Sequence, residues 1–135
     1  MELFDLYSTP HLWTIPYELL REREPSQSIS HKTMPTWEDH CAFVRSHPYK
    51  AWYIFRSPMC EPAGCVYLSR NREIGISVFK RHRGQGLAFQ AIEELMRIHP
   101  GKFLANINPE NQASIKLFAK FGAEHIQNTY ALESA

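Results

Sequence analysis

Apolar and polar positions follow one another along this chain in short blocks, separated by Pro, Gly and Asn. Some blocks alternate with period two, as a half-buried strand does, and others recur at helical spacing. Glu2 to Tyr7 predicts a first strand. Pro16 suits a helix start, and Tyr17-Glu18-Leu19-Leu20-Arg21-Glu22-Arg23 continues as a charged amphipathic helix ended by Pro25. Ser26 to Pro35 is a polar loop. Thr36 is a helix N-cap with Asp39 three residues on, and that helix runs through Phe43-Val44 until Pro48.

Three strands come next. Ala51 to Phe55 is bounded by a turn at Ser57-Pro58, Ala63 to Leu68 follows, and Asn71-Arg72 turns into Glu73 to Phe79. Leu87, Ile92, Leu95, Met96 and Ile98 then form the apolar face of a helix that Pro100-Gly101 ends. Lys102 to Ile107 returns as a strand, Gln112 to Phe121 is a helix, and Glu124 to Leu132 reads as one last strand. Strands mixed with helices in this order predict an α+β domain.

Composition narrows the function classes. At 135 residues with 44% apolar content the chain is one globular domain, 1–135, able to bury a core. Fifteen basic against 14 acidic residues leave a net charge of +1, so no electrostatic footprint for nucleic acid is expected. No apolar run reaches the ~18 residues of a membrane span, and Met1-Glu2-Leu3-Phe4-Asp5 lacks the regions of a signal peptide. The expected location is cytoplasmic, with no membrane partner. Cys41, Cys60 and Cys65 are odd in number and suit reduced thiols. Cys60-x4-Cys65 has no close second Cys or His pair, so no metal site is expected.

The chemistry concentrates after the third of the adjacent strands. Ile74-Gly75-Ile76-Ser77-Val78-Phe79 runs into Arg83-Gly84-Gln85-Gly86-Leu87-Ala88 and then into the apolar helix. A strand, a glycine turn and a helix N-terminus together make an anion cradle, because backbone N–H groups converge where the helix adds positive potential. A P-loop needs Gly-Lys-Ser/Thr, but Gly86 is followed by Leu87 and Ala88. A dinucleotide fingerprint needs a third glycine where Phe89 stands.

Arg83, Gly86 and Ala88 meet the spacing Arg/Gln-x-x-Gly-x-Gly/Ala. Downstream lies a strand from Leu104, an Asn-rich turn, Asn111-Gln112-Ala113-Ser114-Ile115, Leu117-Phe118 and finally Phe121-Gly122. Together the two blocks resemble the core of the GCN5-related N-acetyltransferases (the GNAT superfamily). The resemblance covers Glu73 to Ala123, and the N-terminal half is compatible with it. It implies a mixed, splayed central sheet flanked by helices on both faces. It also implies acetyl-CoA as co-substrate and transfer of its acetyl group to a primary amine by direct attack in a ternary complex. The acceptor would be an amino-sugar nucleotide, a protein N-terminus or a small amine, and a homodimer is compatible with it.

The resemblance carries residue roles with it. The parallel strands Glu73–Phe79 and Lys102–Ile107 would splay, leaving the backbone of Ile76 and Val78 to pair with the two amides of pantetheine. Arg83, Gly84, Gln85, Gly86, Leu87 and Ala88 would hold the pyrophosphate, with Asn111, Ser114 and Phe118 on the cofactor side. Glu73 is the candidate general base, or else a hairpin carboxylate paired with Arg70 or Arg72. A strand N–H near Val78 would hold the oxyanion. Many relatives place a thiol-protonating tyrosine where this chain has Phe118, so Tyr130 and Ser114 are the candidate acids. Asn111 orients pantetheine or caps its helix. Trp13, Trp37 and Trp52 are core or acceptor-pocket walls, and His31 and His40 lie where the acceptor side would form. Two other classes remain: a non-catalytic acyl-CoA sensor or interaction module, and a nucleotide-binding protein using only the cradle.

Overall fold

The computed structural model describes residues 1–23 and 33–134. The predicted stop at Pro25, most of the Ser26–Pro35 loop and His31 lie outside the described residues. Four strands form one antiparallel sheet in sequence order: β1 (Leu3–Asp5), β2 (Ala51–Arg56), β3 (Pro62–Leu68) and β4 (Ile74–Val78). Helices α1 (Thr14–Arg21) and α2 (Trp37–Arg45) cover one face, and α3 (Leu87–Ile98) and α4 (Gln112–Ala119) the other. Among the described residues no helix is long and apolar enough to cross a membrane.

Each face has its own core. Leu87, Ala91, Ile92 and Leu95 of α3 and Phe118 of α4 pack on Phe55, Val66, Leu68 and Ile74. On the other face Leu19 and Val44 meet Trp52, Ile54, Cys65 and Phe79. Strand alternation sends neighbouring residues to opposite cores, so β2 and β3 must be apolar on both sides. The apolar stripe of α3 stops a turn earlier than its periodicity suggests, since Ile98 is 41% exposed. Thr36 caps α2 as expected, accepting a hydrogen bond from the Asp39 N–H at 3.1 Å.

Two expected strands differ in the structure. Between 102 and 107 the only pairing among the described residues is one parallel bridge, Glu73 with Leu104. Phe103, Ala105 and Ile107 still pack their side chains on the α3 core. Residues 124–132 form no strand at all. Ile126, Tyr130 and Leu132 are exposed, and among the described residues His125 and Gln127 bond to partners two positions away. Alternation makes a segment competent for a ladder, but a ladder also requires a partner edge.

Arg72 fixes where the chain after α3 returns to the sheet. Its Nη2 donates to the carbonyls of His99 (2.8 Å) and Pro100 (3.1 Å), and its Nε to that of Lys102 (3.1 Å). The guanidinium also lies 4.6 Å from the centroid of the Phe103 ring. A cation at the C-terminus of α3 meets the negative end of the helix dipole and its orphan carbonyls. Replacing Arg72 with Ala should lower unfolding free energy by about 2 kcal/mol, the scale of charge-assisted hydrogen bonds. Lys should recover only part, because it lacks the planar fork. Urea titration of the three proteins measures both effects.

A pH dependence follows from His40, which is buried where α1 meets α2. Its Nε2 lies 2.7 Å from the Trp13 carbonyl and serves as donor in the neutral ring. Burial lowers its pKa from 6.5. His99, bonded to the Tyr53 hydroxyl at 2.8 Å, is lowered by burial and by Lys50 and Arg72. Each unfolded histidine binds a proton at higher pH than the folded one, so stability is full above about pH 6.5 and falls below it. Urea midpoints should therefore drop from about pH 7.5 to about pH 5.5, and less steeply in His40→Gln.

Candidate active site

The outer edge of β4 is where the site begins. Ile74 N–H donates to the Leu104 carbonyl at 2.8 Å, and Leu104 N–H to the Arg72 carbonyl at 2.9 Å. Backbone groups of alternate residues point to the same side of a strand, so Ile76 and Val78 turn theirs to this edge too. No backbone hydrogen bond among the described residues joins them to 105–107. The chains part after one bridge, and the splay is open from Ile76 onward.

At the other end of β4 a short 3-10 helix, Lys80–His82, leads into the glycine turn. Gly84 (φ 78°) and Gly86 (φ 75°) are left-handed, a conformation in which any side chain brings strain. A Cβ built on either meets nothing within 4 Å, so the space beside both glycines is open. Gly86 is the N-cap of α3 and offers no side-chain cap, which leaves the first N–H groups of the helix available to a ligand. Arg83 Nε donates to the Val78 carbonyl at 3.1 Å and ties the turn to the strand end.

Turn and edge open on one cleft of about 370 Å³. The structure brings Ile76, Val78, Arg83, Gly84, Gly86, Leu87, Ala88, Asn111 and Ser114 into its lining. Gln85 and Phe118 stand outside it, Phe118 because it is 7% exposed in the core against α3. Asn111 Oδ1 accepts from the Ser114 N–H at 3.1 Å, so Asn111 caps α4. Tyr130 lies in the C-terminal segment, 81% exposed and not in the cleft wall.

Glu73 sits at the N-terminal side of the splay, and its carboxylate accepts from Asn106 Nδ2. It is paired with neither Arg70, which donates to the His47 carbonyl, nor Arg72, which holds the end of α3. Sequence reasoning missed Asn106, 33 residues away from its partner. It also missed three cations of the cleft wall, Arg23, Lys116 and Lys120. Lys116 and Lys120 are four apart, the spacing that puts two residues on one side of a helix. With Arg83 the described wall holds four cations and no carboxylate, a potential suited to a polyanion. Among the described residues no group of three or more metal-ligating side chains occurs.

Comparison with curated protein sequences gives no match. Solved structures give the fold. A chimera of the spermidine N-acetyltransferase SpeG from Vibrio cholerae and hSSAT is 14% identical, with a TM-score of 0.69 over 90% of this chain and 81% of that one. The yncA protein from Salmonella typhimurium, solved with its cofactor acetyl-CoA, is 15% identical, with a TM-score of 0.65 over 90% and 76%. A phosphinothricin acetyltransferase from Sinorhizobium meliloti in complex with AcCoA is 22% identical, with a TM-score of 0.65 over 90% and 73%. The profile of the acetyltransferase (GNAT) family matches residues 10–123, and the chain belongs to that family.

Proposed function

We propose that this protein transfers the acetyl group of acetyl-CoA to a primary amine by direct attack within a ternary complex. The observation that carries the reading is the single cleft in which the unpaired edge of β4, the open glycine turn and four cations meet. Ile76 and Val78 would pair with the amides of pantetheine as a sheet edge pairs with a peptide. The N–H groups from Gly84 to Ala88 would take the pyrophosphate, and Arg83, Lys116 and Lys120 the remaining phosphate charge. Two of the similar structures hold acetyl-CoA.

The acceptor amine is charged at neutral pH when its pKa is near ~10, so it must lose a proton before attack. Glu73, held by Asn106 at the end of the splay, would take that proton through water. A β4 N–H would hold the oxyanion. A non-catalytic acyl-CoA sensor is favoured by one observation, the buried Phe118 where many relatives carry a tyrosine. Thiol release from acetyl-CoA over a panel of amines separates the two, since a sensor binds without turnover.

Gly86 tests the cradle. Acetyl-CoA at about a hundredfold excess over Kd should raise wild-type stability by about 2.7 kcal/mol. Gly86→Glu should abolish that gain. Gly86→Ala should keep part of it, and both variants carry a similar left-handed strain of about 1–2 kcal/mol in the free protein. Thermal unfolding with and without acetyl-CoA gives the comparison. Undiminished stabilisation of Gly86→Glu would sink the cradle assignment.

A further inference from the structure

The face of β4 opposite α3 carries Gly75 and Ser77, and a stack of aromatic rings lies over it. Tyr67 on β3 is the cross-strand partner of Gly75. A Cβ on Gly75 would fall 2.0 Å from Tyr67 Cε2 and Cζ and 2.5 Å from its hydroxyl. The phenol end of Tyr67 therefore rests on the β4 backbone at Gly75, in space that only a glycine leaves. Tyr49 stacks on the ring at 3.8 Å with an interplanar angle of 8°. Trp52 meets both rings edge-on, 4.9 Å from Tyr49 and 6.5 Å from Tyr67. The hydroxyl is thus held at a fixed point of the strand.

That point has a meaning in the acetyl-transfer reading. With pyrophosphate at the glycine turn, the pantetheine arm runs backward along β4, past Val78 and then Ile76. Its thioester end would fall beside Ile76, one residue from Gly75, against whose backbone the Tyr67 phenol rests from the face behind the cleft wall. Among the other candidate acids, Phe118 has no hydroxyl, and Tyr130 is 81% exposed in a segment that forms no strand beside the sheet. Ser114 lies across the cleft on α4 and offers an aliphatic hydroxyl, a weaker acid than a phenol.

We propose that Tyr67 is the general acid that gives its phenolic proton to the departing coenzyme A sulfur, with Tyr49 holding it in place. This rests on the acetyl-transfer reading above. The amine lone pair forms the C–N bond, and the carbonyl π electrons move onto oxygen. Collapse of the oxyanion restores C=O and breaks C–S, and the electron pair leaves on sulfur. Sulfur takes the Tyr67 proton. Glu73 already holds the proton the ammonium lost before attack, so the surplus proton of the new amide nitrogen leaves to solvent, and the phenolate regains a proton from solvent as products depart. The net change is amine plus thioester to amide plus thiol.

Tyr67 is protonated at neutral pH, since burial holds its phenol above the ordinary value of 10.0. The groups facing it are Tyr49 before β2, Cys65 beside it on β3, Glu73 before β4 and Arg23 after α1. Tyr67→Phe keeps the ring on Gly75 and removes the hydroxyl together with its hydrogen bond to Tyr49. It should lower kcat about a hundredfold, the low end for general acid catalysis, with the Kd and KM for acetyl-CoA unchanged. Incorporating 3-fluorotyrosine, a more acidic phenol, at position 67 should move the alkaline limb of kcat to lower pH. A ring with only a packing role would not shift that limb. Wild-type thiol release with Tyr67→Phe matching its kcat, or an alkaline limb that fluorination leaves in place, overturns the acid role alone. Wild-type protein that binds acetyl-CoA and releases no thiol to any amine or to water overturns the transfer reading and the acid role with it.

Discussion

A strand edge that the sheet does not pair is the constraint around which this protein is arranged. Backbone N–H and C=O groups withdrawn from water without a partner cost about 1–3 kcal/mol each. An edge of this kind is tolerated only where solvent or a ligand meets it. Here α3 sets both limits of the open stretch. Its C-terminal carbonyls, with that of Lys102, are gathered by Arg72, which forces the returning chain against Glu73 and allows one bridge. Its N-terminus opens at Gly86 without a side-chain cap. Twelve helical residues span about 18 Å, so one rigid rod separates the anion end of the cleft from the clamped end.

Local pattern made much of this readable. The caps at Thr36 and Asn111 act over three residues, and the strands and helices around them follow from apolar spacing. What sequence concealed was pairing at a distance. Arg72 finds its carbonyls 27 to 30 residues on, and Asn106 reaches back 33 residues to Glu73. Neither partner is encoded by spacing, so Glu73 looked equally ready to pair with Arg70 or Arg72. Segment 124–132 shows the same limit from the other side. Its alternation states which residues would share a face, and says nothing of whether an edge is waiting. The cation set was half legible, since Lys116 and Lys120 share a helix while Arg23 arrives from beyond α1.

Glycines in the strands do different work from those in the turn. Gly84 and Gly86 supply a backbone conformation, whereas Gly64 and Gly75 supply room. A Cβ on Gly64 would lie 2.2 Å from the Ser77 carbonyl oxygen and 2.5 Å from Phe55 Cζ. Gly75 admits the Tyr67 ring in the same way. Both sit on β3–β4, the pair that presents the open edge, and each draws a packing group tight against it. The edge is thereby backed by rigid aromatic and aliphatic mass on both faces, which holds its unpaired groups in place for a ligand rather than letting them fray.

A ligand lying along a strand edge is reachable from either face of the sheet, and this bears on Phe118. The side of α4 that faces the sheet joins the core with Leu87, Ala91 and Leu95, and Phe118 is 7% exposed there. A hydroxyl in its place would have to find a partner among apolar groups or lose its hydration at a cost of about 1–3 kcal/mol. The core of this face favours phenylalanine for packing reasons alone. The opposite face is richer in polar tips: the Tyr67 and Tyr49 phenols, Ser77 and, beyond the strand, Glu73. Proton traffic at the thioester end of the edge can therefore belong to the α1–α2 face, where the acceptor would also enter. With Tyr67 as the acid, the phenylalanine on α4 would close one route to the sulfur and leave the other open.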